Sequence, residues 1–260
     1  MAHLTVALAQ IDIVLGDPAA NLAHVSDLAA QAAAAGAELL VLPELWSTGY
    51  ALDRTEELAT PLDSGVFAEL AKLARQHQIA ICGSALSQGP GRPTNTAVLF
   101  GPDGAALGAY SKIHLFGLMN EDQWLSPGNN APVIDTPWGP TALAICYDLR
   151  FPELLRSYAV RGAGVVILPS EWPHPRGEHW RTLVQARAIE NQCFVLACNR
   201  VGSDRANTFC GHSMIVDPWG AVVAEAAEAP TLLTATLDLS LIETVRSRMS
   251  VLRDRRPDLY

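Results

Sequence analysis

Cys146 is the residue whose setting most invites chemistry. It stands in Ala-Ile-Cys-Tyr-Asp-Leu-Arg-Phe-Pro-Glu, residues 144–153. The apolar run Thr141 to Ile145 suits a core strand, and Pro152 suits the first position of a helix. A cysteine at such a junction can be partly exposed, and backbone N–H groups there favour the thiolate, the form that attacks carbon. Taken alone, Cys146 is at least as well explained as a structural thiol, because free cysteine is among the most buried residue types. Two further strand ends carry complementary groups. Leu40-Val-Leu-Pro-Glu44 closes an apolar strand with an acid, and Trp46-Ser-Thr-Gly-Tyr50 follows closely. Ala109-Tyr-Ser-Lys112 sets an amine just past another strand-like stretch. Alone, Glu44 is equally a loop acid and Lys112 an ordinary solvated lysine.

The elements that must position these groups are legible in the pattern. Leu4 to Ala9 reads as a strand. Asp17-Pro18 offers an N-cap and a first helical residue, Leu22, Val25, Leu28 and Ala32 share a helical face, and Gly36 ends the helix. Leu39 to Leu42 is the next strand. Asp63 or Ser64 caps a helix carrying Phe67, Leu70 and Leu73, and strand Ile79 to Ala85 follows. Thr96 to Phe100 and Ala105 to Tyr110 flank Gly-Pro-Asp-Gly, a hairpin turn. After Cys146 come helix Pro152 to Arg161, strand Val165 to Leu168, a helix over roughly 178–191 and strand Cys193 to Cys198. Ser213 to Val216 and Ala221 to Ala224 flank Asp-Pro-Trp-Gly. Thr231 to Leu237 gives a late strand and Leu239 to Met249 a short helix. Several strands are continuously apolar, as when both faces are buried, so layered helices and sheets are expected. Periodicity alone leaves a doubly wound sheet and two stacked sheets both open.

Composition narrows the function classes. Of 260 residues, 49% are hydrophobic and 17% charged, which suits a large core. With no linker-like stretch or shift in composition, one domain over residues 1–260 is expected. The formal charge is −9 and the basic residues are scattered, which argues against nucleic-acid or anionic-membrane partners. The N-terminus has no secretory pattern and no apolar run reaches the ~18 residues of a membrane span. Cysteines 82, 146, 193, 198 and 210 are odd in number and lack CxxC spacing, so a reduced cytoplasmic protein is expected rather than a disulfide framework. No GxSxG, Walker loop, Rossmann fingerprint or HExxH is present. His174 and His179 lack the acid or cysteine spacing of a metal site. A cysteine–histidine protease is compatible with the spacing but leaves the Glu44 and Lys112 motifs unexplained.

With the Glu44, Lys112 and Cys146 motifs in this order, the chain resembles the nitrilase superfamily of carbon–nitrogen hydrolases from Val6-Ala-Leu-Ala-Gln10 to Arg255-Arg-Pro-Asp-Leu-Tyr260. The resemblance implies a four-layer αββα sandwich and an amide hydrolase without cofactor or metal. It implies Cys146 as nucleophile, Glu44 as proton carrier, and Lys112 with the Tyr147 backbone N–H as stabilisers of the oxyanion. Glu121, in Met119-Asn-Glu-Asp, resembles the family's second glutamate, which orients the lysine and the substrate; an anion there would also keep the amine charged. Asp148, Arg150 and Glu153 are read as ion pairs and helix support. A homodimer or higher homo-oligomer built on helices beside the site is the family's habit.

Tyr147 directly after the cysteine looks like the amidase branch rather than the nitrilases. Leu168-Pro-Ser-Glu-Trp-Pro-His-Pro-Arg176, His179-Trp180, Gln185-Ala-Arg-Ala-Ile-Glu-Asn191 and Cys198-Asn-Arg-Val-Gly202 are similar to bacterial omega-amidases, which hydrolyse 2-oxoglutaramate or 2-oxosuccinamate to the 2-oxo dicarboxylate and ammonia. Gly211-His-Ser-Met-Ile-Val-Asp-Pro-Trp-Gly220 and the C-terminal run are equally similar to deaminated glutathione amidases. A non-catalytic binding protein on the same fold would have no need of the intact trio. Either acid amide needs a cation for its distal carboxylate. Arg176 is the candidate, with Trp172 shaping the pocket wall and Arg205 a weaker alternative. Glu171 stands against this, because an acid pointing into the pocket would repel the substrate.

Overall fold

The computed structural model describes residues 3–89 and 91–259; Tyr260, which closes the tail motif, lies outside the described residues. Strand β1 (His3–Gln10) leads to helix α1 (Pro18–Ala34), β2 (Leu39–Val41), the short α2 (Thr55–Leu58), α3 (Gly65–His77), β3 (Ala80–Ser87), β4 (Thr94–Phe100) and β5 (Ala106–Ser111). Next come the one-turn α4 (Glu121–Trp124), β6 (Val133–Ile134), β7 (Thr141–Leu143), α5 (Pro152–Val160), β8 (Val165–Ser170), α6 (Gly177–Asn191) and β9 (Phe194–Asn199). The remainder runs through β10 (Val201–Ser203), β11 (Thr208–Cys210), β12 (Met214–Val216), β13 (Val222–Glu225), β14 (Thr231–Asp238) and α7 (Ser240–Arg248).

Among the described residues the strands form two six-stranded sheets, ordered β14-β1-β2-β3-β4-β5 and β13-β12-β9-β8-β7-β6. In the first, β1, β2 and β3 are parallel, and β14, β4 and β5 join antiparallel. The second repeats the plan: β7, β8 and β9 are parallel, β6 and β12 flank them antiparallel, and β13 pairs antiparallel with β12 at the edge. Alternation along β1 assigns its two faces. Leu4, Val6 and Leu8 enter the cluster shared with Leu143, Val166 and Leu196 of the other sheet. Ala7 and Ala9 face outward onto Val25, Leu28 and Ala29 of α1 and Phe67 and Leu70 of α3. Tyr158 of α5 and Trp180 and Val184 of α6 cover the far side of the second sheet. The result is the helix–sheet–sheet–helix sandwich the resemblance implies. Each fully buried Val, Leu or Phe is worth roughly 1.5–3 kcal/mol, so these clusters set the sheet pairing.

Local signals mostly hold. Asp17 accepts a hydrogen bond from the Ala20 N–H at 3.0 Å and Pro18 opens α1. Ser64 precedes α3 but makes no side-chain capping bond. The ribbon β10–β11 and the helices α2 and α4 go unannounced in the sequence, because two- to four-residue elements carry too little periodicity to read. The junction at Cys146 is a 3₁₀ turn, Cys146–Arg150, before α5 begins at Pro152.

The parallel strands matter most for the site. Asp12 follows β1, Glu44 follows β2, Cys146 follows β7, Glu171 follows β8 and Arg200 follows β9. The carboxyl ends of parallel strands are where open α/β sheets gather ligand-binding groups, and here two sheets deliver theirs to one place.

Candidate active site

Each catalytic candidate is held by a short, strongly tied segment. After β2 the backbone turns sharply: Leu45 takes φ 43°, its N–H donates to Ser84 Oγ at 2.9 Å, and the Trp46 N–H donates to the Ser84 carbonyl at 3.1 Å. Glu44 is thereby buried against β3 and β4. Lys112 leaves the end of β5 with its N–H on the Asn95 carbonyl at 2.8 Å. Cys146 adopts φ 44°, an unusual conformation for a non-glycine residue. Such strain persists only where the surroundings enforce it, and Asp148 does so. Its buried carboxylate accepts from the Ile145 N–H at 2.9 Å, the Tyr110 hydroxyl at 2.7 Å and the His114 N–H at 3.1 Å, and pairs with His114 Nδ1 at 2.7 Å. Asp148 therefore ties the lysine's strand end to the cysteine's turn.

The side chains then meet. The Lys112 ammonium donates to Glu44 Oε1 at 2.7 Å and to Glu121 Oε1 at 2.6 Å, with all three side chains fully buried. Two of its three donors are used. Asn95 Nδ2 donates to Glu44 Oε1 at 2.8 Å and the Glu171 N–H to Glu44 Oε2 at 3.0 Å. Glu121 Oε1 also accepts the Tyr50 hydroxyl at 2.6 Å, and its Oε2 the Phe116 N–H at 2.7 Å.

Electrostatics corrects one expectation. Cys146 is 5% exposed, and burial pushes its thiol well above the usual range. Glu44 adds to this through its charge and a hydrogen-bonding interaction, while Lys112 pulls the other way. Burial between acids favours the thiol over the thiolate that the turn's N–H groups would favour. Burial works against the Lys112 ammonium too, but Glu121 and Glu44 more than offset it, so its pKa lies above the ordinary lysine value. Burial and Glu44 raise the Glu121 carboxyl against the pull of Lys112. Burial, then Glu121 and Glu44, raise Tyr50 and keep its hydroxyl a donor.

Glu171 is fully buried, and its Oε2 accepts from Arg200 Nη1 at 2.8 Å. The acid that stood against an anionic substrate is thus matched by a cation. The three substrate-side candidates lie together on the cysteine's flank. The Tyr147 ring packs edge-on to Phe151 and tilted on Phe116, with centroids 5.2 and 4.7 Å apart. The Arg176 guanidinium lies 5.5 Å from the Phe116 centroid, and Trp172 Nε1 donates to the Arg176 carbonyl at 2.8 Å. Trp172 is 2% exposed, with Arg150 covering its ring at 4.6 Å. It meets the site through Arg150. Arg150 corrects a second expectation, because among the described residues no carboxylate lies within ion-pair distance of it or of Arg176. Burial lowers the Arg150 pKa, and Arg176 lowers it further, while Tyr147 and Cys146 oppose. Two guanidiniums therefore repel one another beside the thiol with no anion between them. Arg205 is exposed on a cleft of about 320 Å³ that Tyr50, the donor to Glu121, lines together with Leu118, Asn120 and Asp204.

Sequence reasoning missed Tyr50, Asn95, Arg150 and Arg200. Tyr50 sits in a motif already singled out, but nothing local said that its hydroxyl would reach Glu121. Asn95 gave no local signal, and Arg200 sits in the Cys198–Gly202 motif without any sign of its partner, because their partners lie 51 and 29 residues away.

The arrangement matches known proteins over its whole length. Residues 5–247 fit the carbon-nitrogen hydrolase family. A Bacillus subtilis protein named 2-oxoglutaramate amidase is 40% identical over 257 residues, covering 98% of this chain and 99% of the relative. The Mus musculus omega-amidase NIT2 is 34% identical, covering 92% and 91%. Among solved structures, Saccharomyces cerevisiae Nit3, described as a member of branch 10 of the nitrilase superfamily, superposes with a TM-score of 0.91 at 32% identity over 98% of this chain and 97% of its own. A buried acid–amine–thiol cluster on this sandwich, with relatives of this kind, makes the chain a member of the carbon–nitrogen hydrolase family, a hydrolase of amide C–N bonds.

Proposed function

We propose that Cys146 is the nucleophile of an amidase that removes the terminal amide of a small 2-oxo acid, 2-oxoglutaramate or 2-oxosuccinamate, as ammonia. The observation that carries this reading is the Lys112 ammonium bridging Glu44 and Glu121 beside a protonated thiol. Sγ attacks the amide carbon while Glu44 takes the thiol proton. The carbonyl oxygen gathers charge, and the free donor of Lys112 and the Tyr147 N–H stabilise it. The C–N bond breaks, Glu44 returns the proton to the leaving nitrogen, and ammonia departs from a thioester. Water, deprotonated by Glu44, attacks the thioester; the C–S bond breaks, Sγ regains the proton and the acid leaves. Glu121 acts on Lys112, holding it in place.

The substrate assignment draws on the printed names of the relatives and on charge. Arg150 and Arg176 lie on the thiol's flank without a carboxylate of their own, which suits the far carboxylate of a dicarboxylic monoamide, with Trp172 and Phe116 as the aromatic floor. No helix among the described residues is long and apolar enough to cross a membrane, and a homo-oligomer in the cytoplasm is part of the same proposal.

The test is ammonia release from 2-oxoglutaramate, succinamate, deaminated glutathione, glutamine and a simple aliphatic nitrile, with Cys146→Ala as control. Fast turnover of 2-oxoglutaramate, lost in the control, supports the reading. Preference for deaminated glutathione reassigns the substrate, and silence across the panel from folded protein overturns the amidase assignment for these compounds. Arg176→Ala should raise KM for the oxo acid amide sharply; an unchanged KM removes Arg176 from the site.

A further inference from the structure

Behind the reacting groups lies a second buried charge cluster that the mechanism leaves unused. Arg200, at the end of β9, is fully buried. Its Nη1 donates to Glu171 Oε2 at 2.8 Å, and its Nη2 to the Ile13 carbonyl at 2.9 Å and Asp12 Oδ1 at 3.2 Å. Its face covers the Phe209 ring at 4.2 Å, and its own N–H donates to the Ser170 carbonyl at 3.1 Å. One guanidinium thus fastens the ends of β1, β8 and β9 and the β11 strand.

Two catalytic carboxylates sit one step from this guanidinium. Glu171, which Arg200 holds by its side chain, gives its backbone N–H to Glu44 Oε2. On the other side, the turn from Glu44 to Tyr50 packs on the guanidinium at Gly49, which takes φ 55°; a Cβ there would stand 3.2 Å from Arg200 Nη1. The next residue is Tyr50, whose hydroxyl donates to Glu121 Oε1. Asp12 is given room by Gly202, at φ 81°, where any Cβ would run into its carboxylate.

The cluster is costly in stability. Glu171 Oε1 and Arg200 Nε are buried without a hydrogen-bond partner among the described residues, and an unmatched buried polar atom weakens a fold. Burial pushes the Glu171 carboxyl up to about 8 despite the Arg200 beside it. Glu171 Oε2 can accept from Arg200 in either protonation state, and the bond is stronger when the carboxyl is ionised. An apolar pair of the same volume would often stabilise such a site better.

We propose that the buried Arg200–Glu171 pair is a positioning device for the catalytic carboxylates, holding the Glu171 N–H on Glu44 and the Gly49–Tyr50 turn on Glu121 without touching substrate. This rests on Glu44 being the proton carrier. Misplacing a reacting group by about 1 Å is enough to cost about a hundredfold in rate.

The experiment compares wild type with Glu171→Gln, Glu171→Ala and Arg200→Lys. It follows kcat and KM by ammonia release on the best amide of the panel, the rate of iodoacetamide alkylation of Cys146 without substrate, and the thermal midpoint. Both alanine and lysine variants should lose kcat about ten- to a hundredfold with KM within about twofold, and alkylation should slow in step, because proton transfer from the thiol to Glu44 is shared by both reactions. Glu171→Gln should recover part of kcat over Glu171→Ala, since the amide oxygen still accepts from Arg200. The proposal is overturned if the folded variants lose only thermal midpoint while kcat and alkylation stay within about twofold. It is equally overturned if KM rises with kcat intact, which would make Glu171 a substrate contact. Alkylation needs no amide, so its response to Glu171→Ala tests the positioning even where the panel has already rejected the substrate.

Discussion

Replacing Tyr50 by Phe removes one hydroxyl and nothing else. That hydroxyl belongs to a half-buried side chain and donates to Glu121 Oε1 at 2.6 Å, the same oxygen that receives the Lys112 ammonium. Hydrogen bonds to charged groups contribute about 1.5–3 kcal/mol. Without it, Glu121 Oε1 keeps only Lys112, and its other oxygen keeps the Phe116 N–H, so the carboxylate can swing and carry the ammonium with it. If the whole loss falls on the transition state, 1.36 kcal/mol per tenfold gives a fall in kcat of about ten- to a hundredfold. KM should stay within about threefold, because the hydroxyl is committed to Glu121 rather than to substrate. The thermal midpoint should drop by no more than about 3–12 °C, at roughly 2–4 °C per kcal/mol for a chain of this size. Steady-state ammonia release and a melting curve on the same preparation decide it. A kcat within twofold of wild type would refute the idea that Glu121 needs two donors to hold Lys112. A large KM effect with normal kcat would make Tyr50 a substrate contact.

Three further outcomes follow from the same geometry. Lys112→Met leaves Glu44 and Glu121 buried without their shared cation; it should lower stability by about 3–5 kcal/mol and kcat by about a hundredfold or more, and a melt within 2 °C of wild type would contradict the buried bridge. The rate of Cys146 alkylation by iodoacetamide should keep climbing beyond pH 9, since burial and Glu44 raise the thiol; a plateau below pH 8 in wild type, absent from Cys146→Ala, would show a resting thiolate instead. Glu171, raised from 4.5 to about 8 by burial, binds its proton more tightly in the folded state. Its contribution to stability is full below pH 4.5 and is lost as pH rises towards 8, at no more than about 1.4 kcal/mol per unit. The denaturant midpoint of wild type should therefore fall relative to Glu171→Gln between pH 5 and 8, and parallel curves would refute the raised value.

The legible part of this protein is what repeats along the chain. The strand and helix segments of β1, α1, β3, α5 and β14 follow from hydrophobic period and from punctuation by Asp17-Pro18, Gly36 and Gly162. Glu44, Lys112 and Cys146 stand out because each ends a strand, and strand ends are local features. Their meeting is not local. Nothing near Asn95 foretells Glu44, and nothing near Arg200 foretells Glu171, because hydrogen bonds across two sheets are fixed by sheet packing. Arg150 was misread for the same reason. A basic residue four positions after a cysteine and three before an acid suggests an ion pair, whereas the 3₁₀ turn rotates it away from Glu153 and onto Trp172. Glu171 was correctly flagged as an acid close to the site; what the sequence withheld was the guanidinium 29 residues later that matches it.

The buried heart of the site holds more proton-releasing groups than cations, and how it settles that imbalance bears on its chemistry. Glu44, Glu121, Glu171 and Cys146 crowd around Lys112 and Arg200, all out of water. Burial resolves the excess by retaining protons: the thiol stays protonated, and Glu121 and Glu171 are raised. Amide cleavage needs a proton for the departing nitrogen as much as it needs a nucleophile, because an amide anion is not a viable leaving group. A resting thiolate beside an ionised Glu44 would attack readily and then leave the nitrogen without a proton donor. In the proposed mechanism a resting thiol brings the nucleophile and that proton together, and Glu44 moves one to release the other. The high thiol pKa is in this sense no obstacle that Lys112 fails to overcome. It is the store from which ammonia takes its third hydrogen.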